Sequence, residues 1–96
     1  MNEKTIVPNI EDVRELIDSV DREIVMLLKQ RSRLVELVVA AKKESGMSVH
    51  QPDRFAQMMQ RLKTIAKEED LDEQLVTEVW DSIHESSKRQ QNAKLQ

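Results

Sequence analysis

A long apolar seam at the start of the chain limits its possible folds more than any other feature. Across residues 10–41 hydrophobic side chains recur at alternating spacings of three and four, which predicts one face of a single α-helix. Arg31 interrupts the seam, whose members are Ile10, Val13, Ile17, Val20, Ile24, Leu27, Leu34, Val38 and Ala41. With Asn9 as N-cap and Gly46 as C-terminal stop, the pattern predicts a helix over residues 10–45.

The predicted length of this helix requires a partner. A helix of about 36 residues spans about 54 Å at ~1.5 Å per residue, whereas a globular domain of this size has a radius of gyration of about 13 Å. The long seam therefore needs an equally long helix to pack against. The simplest partner is the same helix of a second copy, so we predict a twofold homodimer.

The remainder of the chain predicts two shorter helices. After a loop at 47–52, apolar spacing indicates a second helix that ends near Glu69, and Asp72 is a suitable N-cap for a third. The fold class predicted is all-α, with one long helix and two shorter helices. We expect a single domain over residues 10–91, a disordered N-terminal segment at 1–9 and a frayed tail at 92–96.

Composition excludes several classes of function. The chain has 39% hydrophobic and 34% charged residues, which fits one compact soluble domain, and its only aromatic residues are Trp80 and Phe55. The absence of cysteine excludes disulfides, thiolate metal sites and thiol nucleophiles. We find no signal-peptide or membrane-spanning pattern and expect a cytoplasmic protein without metal or cofactor. A net charge of −3 argues against nucleic acid as a partner.

Three cations on the long helix suggest a site for a small anion. Arg31 lies in the seam, where an unpaired buried charge is unfavourable. Its charge is therefore explained either by a structural role, as part of a buried ion pair or as a register-setting residue, or by an anionic ligand. Lys42 lies about 20° around the helix and some 16 Å along it from Arg31, facing the same side, although it could simply interact with the helix dipole. Arg14 is about 25 Å from Arg31 on the same helix, and Arg14 of a second copy would come closer.

Polar residues also continue the apolar stripe of the third helix. Ser87 and Gln91 are spaced i, i+4 and follow Val79 and Ile83, so they should face the interior. Buried hydroxyl and amide groups need hydrogen-bond partners. An interhelical hydrogen bond or a ligand would satisfy them.

Four segments carry a family resemblance. The first helix reads VRELIDSVDREIVMLLKQRSRLVELVVAAKK over residues 13–43, and it is followed by QPDR at 51–54, EEDLDEQLV at 68–76 and IHESSKRQQ at 83–91. Together they resemble the AroQ-type chorismate mutases, which are all-helical, intertwined homodimers. The resemblance covers nearly the whole chain and implies rearrangement of chorismate to prephenate without any cofactor.

The resemblance implies a role for each matching residue. Arg31 and Arg14 of the second copy would bind the carboxylate oxygens of the substrate, and Ser87 would help at the other end of the molecule. Lys42 and Gln91 would face the ether oxygen of the enolpyruvyl bridge. On this interpretation Lys42, Gln91 and Arg31 are the catalytic residues, because charge develops on that oxygen as its bond to carbon breaks.

The chain departs from the family at the end of the site that holds the substrate ring. The resemblance places Arg54 in the pocket near the ring, and the family usually has glutamate at position 55, acting with an acidic residue at position 51 on the ring hydroxyl. Here these positions hold Phe55 and Gln51. Phenylalanine accepts no hydrogen bond, which would cost roughly 1–3 kcal/mol if the hydroxyl were buried and unsatisfied. Gln51 can still accept one.

This departure leaves other functions open. Isochorismate-pyruvate lyases resemble the chain in having an apolar residue after the arginine. Mutases of 4-amino-4-deoxychorismate are a second alternative, because an aromatic ring can contact the substrate ammonium. A non-catalytic helical dimerisation module, with Arg31 setting the register, is the alternative from another class. Chorismate mutase remains the first interpretation.

Overall fold

The computed structural model describes residues 7–95 and contains three helices. They are α1 (Ile10–Ser45), α2 (Pro52–Glu68) and α3 (Glu73–Leu95), and no strand occurs within the described range. The predicted all-α fold class is confirmed. The chain divides into two compact units with the boundary inside α1, between Arg33 and Leu34. Each unit is described by itself below, the first over residues 7–33 and the second over 34–95.

The predicted ends of α1 are confirmed by their capping hydrogen bonds. Asn9 Oδ1 accepts a hydrogen bond from the backbone N–H of Glu11 at 2.8 Å, which satisfies one of the free donors at a helix start. At the other end Gly46 has φ +72°, the left-handed conformation that stops a helix. The Lys42 carbonyl accepts hydrogen bonds from the N–H groups of Gly46 (2.8 Å) and Met47 (3.2 Å).

Local hydrogen bonds also determine the turn between α2 and α3. Asp70 has φ +53°, and the N–H of Leu71 donates to the Ala66 carbonyl at 2.8 Å, so α2 ends in the same left-handed manner without a glycine. The predicted N-cap Asp72 accepts a hydrogen bond from the N–H of Gln74 at 3.0 Å. These two features allow α3 to start with only four residues between it and the end of α2.

The predicted flexible ends stay predictions. Residues 1–6 of the predicted disordered segment lie outside the described residues, and residues 7–9 precede α1. Helix α3 continues four residues beyond Gln91 to Leu95, so most of the predicted frayed tail at 92–96 is helical in this structure, and Gln96 lies outside the described range.

The second unit has a small apolar core to which all three helices contribute. Its buried hydrophobic residues are Val35 and Val39 of α1, Met59 and Ala66 of α2, and Val76 of α3. Within the described chain no side chain is completely buried. The seam residues Leu34 and Val38 remain exposed next to the buried Val35 and Val39. The face of α1 that packs inside this unit is therefore adjacent to the predicted seam.

The first unit contains the N-terminal part of α1, and most of its large apolar side chains are exposed. Ile17 is 51% exposed and Leu27 63%, with Val20 and Ile24 at similar values. An isolated helix gains little stability from propensity and depends on packing of its apolar face. This face therefore needs a partner surface. None of the described helices carries an apolar stretch of the length that a bilayer requires.

Candidate active site

Three of the predicted site residues form a chain of hydrogen bonds within the second unit. Lys42, near the end of α1, donates from Nζ to Oε1 of Gln91 on α3 at 2.6 Å. Gln91 Nε2 in turn donates to the hydroxyl oxygen of Ser87, one turn earlier on α3, at 3.2 Å. The Lys42–Gln91–Ser87 chain thus joins two helices through polar side chains.

The direction of these hydrogen bonds determines what the chain offers to a ligand. A lysine ammonium can only donate, so the Gln91 amide must turn its oxygen toward Lys42. The Gln91 NH₂ group then has one proton on Ser87 and one more to donate. Because Ser87 Oγ accepts from Gln91, its own O–H proton is also available. Lys42, Gln91 and Ser87 therefore present donors, and the complementary ligand is rich in acceptor oxygens.

Burial increases the electrostatic effect of this arrangement. Gln91 is only 8% exposed and is the one buried polar residue in the described part of the chain. Lys42 is half-buried, and loss of solvation lowers its pKa from the ordinary lysine value. Its acceptor in Gln91 is a neutral amide, which leaves the positive charge uncompensated by that bond. A partly desolvated cation of this kind favours a negatively charged ligand.

Two further predicted residues line a cavity of about 230 Å³ beside α3. Gln51 lines it from the position just before α2, Phe55 from the first turns of α2, and His84 from α3. The rings of Phe55 and His84 stack, with centroids 4.0 Å apart and planes inclined by 28°. Gln51 Nε2 donates to the Ser48 carbonyl at 3.1 Å, which leaves the acceptor oxygen of its amide outside that bond.

His84 is a cavity-lining residue that sequence reasoning did not include among the candidates. It lies outside the apolar stripe of α3, and the structure places it half-buried against Phe55. The signal that could have identified it is its spacing. His84 precedes Ser87 by three residues, so the two side chains lie on neighbouring positions of one helix face.

The predicted arginines lie in different surroundings. Arg54, in the first turn of α2, is exposed. Arg14 belongs to the first unit, where it pairs with Glu11 at 3.1 Å, and its side chain is 63% exposed. Arg31 also belongs to the first unit and is half-buried, with an interaction partner of its own.

A second cavity, of about 460 Å³, lies next to the first and shares three of its lining residues. The shared residues are His50, Glu85 and Lys88, and Arg89 and Asn92 line only the larger cavity. Lys88 pairs with Glu85 at 3.0 Å, and this hydrogen bond holds the pKa of Glu85 below its usual range. No cluster of three or more side chains suited to metal binding occurs within residues 7–95.

Comparison with known proteins gives a consistent result. Residues 13–92 match the family model described as chorismate mutase type II. The chain is 24% identical over 91 residues to a chorismate mutase of Methanocaldococcus jannaschii, a match that covers 95% of this chain and 92% of the relative. No solved structure is significantly similar.

Two longer relatives match over a smaller part of their length. A T-protein of Haemophilus influenzae is 31% identical over 70 residues, covering 73% of this chain. A bifunctional chorismate mutase/prephenate dehydratase of Buchnera aphidicola is 30% identical over 74 residues, covering 77% of this chain. In each case the match spans 19% of the relative.

Proposed function

The chain belongs to the chorismate mutase type II family, and from this premise we propose that it rearranges chorismate to prephenate through the Lys42–Gln91–Ser87 chain. The observation that carries the proposal is the 2.6 Å hydrogen bond from Lys42 to Gln91, which uses the amide oxygen and so leaves the remaining N–H donors of both residues for other partners. The family relationship makes the protein an isomerase, and the geometry suggests how these side chains act.

The reaction needs donors rather than a nucleophile or a base. Within one substrate molecule the ether C–O bond breaks while a C–C bond forms, and negative charge grows on the ether oxygen. Donors from Lys42 and Gln91 lower the barrier if they bind that oxygen more strongly in the transition state than in the substrate. Each donor is expected to contribute about 2.7–4 kcal/mol, the range of comparable preorganised groups. Holding the substrate in its chair-like conformer supplies the entropic part.

The carboxylates of the substrate need cations beyond Lys42. Following the family resemblance, we assign Arg31 and Arg14 of a second copy to the carboxylate oxygens, Ser87 to the other end of the substrate and Arg54 to the region of the ring. Arginine suits this role, because its planar donors match a carboxylate in a bidentate manner. The Arg14–Glu11 pair is exposed, so it would exchange readily for a substrate carboxylate.

A homodimer is part of the same proposal. The support is the exposed apolar face of the first unit, on which Ile17, Val20, Ile24 and Leu27 are each close to half exposed or more. Contiguous apolar surface of this kind marks an interaction site, and the same seam on a second copy is a matching partner. Sedimentation equilibrium should give twice the chain mass. A monomer at assay concentration that is fully active would contradict this part.

The test of the proposed function is a direct assay with matched variants. The purified chain should consume chorismate and release prephenate, and Lys42→Ala and Gln91→Ala should each lower kcat by about 10²- to 10³-fold. Lys43→Ala is the matched control, since Lys43 is the exposed neighbour of Lys42, and it should retain wild-type activity. Lack of prephenate formation, or full activity in Lys42→Ala, would show the proposal to be wrong.

The same assay separates the alternatives. Isochorismate is incubated in parallel, and formation of salicylate with pyruvate would indicate a lyase. A dimerisation module would turn over neither compound and would show no thermal stabilisation by a cyclic dicarboxylate that mimics the transition state. A cytoplasmic site of action stays a prediction, supported by the absence of cysteine from the sequence.

A further inference from the structure

His84 lines the smaller cavity and lies one helical turn before Ser87 of the hydrogen-bonded chain. It precedes Ser87 by three residues and Lys88 by four on α3, which places it beside both on the helix surface. Ser87 belongs to the Lys42–Gln91–Ser87 chain, and Lys88 lines the cavity that also contains Gln51 and Phe55. A ligand held by the hydrogen-bonded chain and reaching this cavity would have His84 among its neighbours.

The stack with Phe55 determines how His84 can contact a ligand. One face of the imidazole is covered by the phenyl ring at a centroid distance of 4.0 Å, and hydrogen bonds to a ligand can come only from its edge, where both nitrogen atoms lie. Phe55 itself has no hydrogen-bonding group. At this end of the site a polar contact can come from His84 of α3 or from Gln51, but not from position 55. The packing also restrains the ring, because both residues are half-buried.

We propose that His84, held by its stack on Phe55, binds the ring substituent of the substrate and selects a hydroxyl over an ammonium group. This inference rests on the proposed function and names its substrate class. A neutral imidazole can accept a hydrogen bond from either group. A protonated imidazole can still donate to a hydroxyl oxygen, but it repels an ammonium. Selection therefore strengthens when His84 is protonated.

Other charged groups around the cavity define the controls. From α3 the acidic residues Asp81 and Glu85 and the basic Lys88 line it, and from the loop His50 does so, while α2 contributes only uncharged side chains. Glu85 is paired with Lys88, and the lowered pKa keeps its carboxylate ionised. His50 and His84 are the two histidines of the chain, so replacing each in turn separates their contributions.

The experiment compares two substrates that differ only in this substituent. We measure kcat/KM for chorismate and for 4-amino-4-deoxychorismate, or the inhibition constant of the latter if it does not react, between pH ~5.5 and ~7.5, across the usual histidine range. The ratio of the two values cancels effects common to both substrates. In the wild type the ratio should favour chorismate about tenfold more at pH ~5.5 than at pH ~7.5. A tenfold change corresponds to repulsion between imidazolium and ammonium equivalent to a shift of about one pKa unit. His84→Gln should show a ratio independent of pH.

Controls separate His84 from its surroundings. His50→Ala and Asp81→Asn should keep the pH dependence of the ratio, since the titrating imidazole is retained. His84→Asn is a second uncharged variant in case the glutamine side chain disturbs the stack, and circular dichroism checks the helical content of each variant. Phe55→Leu should weaken the selection while leaving turnover of chorismate detectable, because the imidazole loses its packing partner.

The outcomes distinguish the two proposals. If the chain forms prephenate but the ratio does not change with pH, or if the change persists in both His84 variants, the assignment of His84 is overturned and the proposed function stands. If the change disappears in His50→Ala instead, His50 is the selecting residue and the assignment to His84 is wrong. If neither compound binds or reacts, both proposals are overturned together.

Discussion

The orientation of the Gln91 amide makes replacement by glutamate an informative perturbation. In the wild type Gln91 accepts from Lys42 at 2.6 Å and donates to Ser87 at 3.2 Å. In Gln91→Glu the first bond becomes an ion pair between the ammonium and the carboxylate and should persist. The N–H donors, however, are replaced by an oxygen that can donate only when the carboxyl is protonated. The variant therefore removes one donor from the developing charge on the ether oxygen with almost no change in shape.

The expected magnitude follows from this lost donor. Above the pKa of the introduced carboxyl, kcat should fall by about 10²- to 10³-fold, the usual effect of removing one such donor. As pH falls, the protonated fraction rises tenfold per unit until that pKa is reached, and activity should rise with it. Burial raises this pKa, since position 91 is only 8% exposed, while the ammonium of Lys42 lowers it.

The assay is kcat/KM for chorismate across the acidic and neutral range for wild type, Gln91→Glu and Gln91→Ala. Gln91→Ala removes the donor without adding a titrating group, so its loss should be independent of pH. Gln91→Glu should lie at or below the alanine variant at high pH and above it at low pH. Circular dichroism at each pH tests whether the helices persist. A glutamate variant that is fully active at neutral pH, or whose activity rises with pH, would refute the reasoning.

Three further predictions follow from features described above. Mixing inactive Arg14→Ala and Lys42→Ala chains should restore about one quarter of wild-type activity, because half of the dimers formed at random are mixed and each has one intact site. No recovery after mixing and refolding would place Arg14 in the site of its own chain. Burial lowers the pKa of Lys42, so its ammonium loses the proton at a lower pH than an exposed lysine, whose pKa is ~10.4. As pH rises, kcat/KM should therefore begin to fall before that value is reached. Any residual activity of Lys42→Arg should lack this alkaline loss, as measured in matched buffers. Thermal denaturation should show that Gly46→Ala is less stable by about 1–2 kcal/mol and Asp70→Gly more stable by up to about 1 kcal/mol, because both residues have left-handed backbones. Equal melting temperatures for Gly46→Ala and wild type would contradict the role of the glycine.

The helix ends were predictable because their determinants are local. Asn9, Gly46 and Asp72 act through hydrogen bonds or backbone angles within a few residues of themselves, and all three were read correctly from the sequence. The Lys42–Gln91 hydrogen bond joins residues 49 positions apart. No spacing rule reaches that far, so this pair was expected only through the family resemblance.

Two features escaped the sequence because they depend on how helices pack. Apolar spacing identifies a helix face but does not say whether its own chain or another covers it, and here Val35 and Val39 are buried while the neighbouring Val38 is exposed. The stack of His84 on Phe55 depends on the relative placement of α2 and α3. Periodicity assigned each residue to its own helix and could not pair them.

The capping of α1 connects an exposed turn to the placement of a charged group. The Lys42 carbonyl accepts both hydrogen bonds that close the helix, from the N–H groups of Gly46 and Met47. The conformation of Gly46 therefore helps to hold the backbone that carries the Lys42 ammonium. A Cβ at Gly46 would meet no other heavy atom within 4 Å, so only its backbone conformation opposes substitution. A survey of every single substitution scored by turnover should therefore rank Gly46 among the sensitive positions, despite its exposure. Gly46 would then be an exposed position that nevertheless does not tolerate substitution.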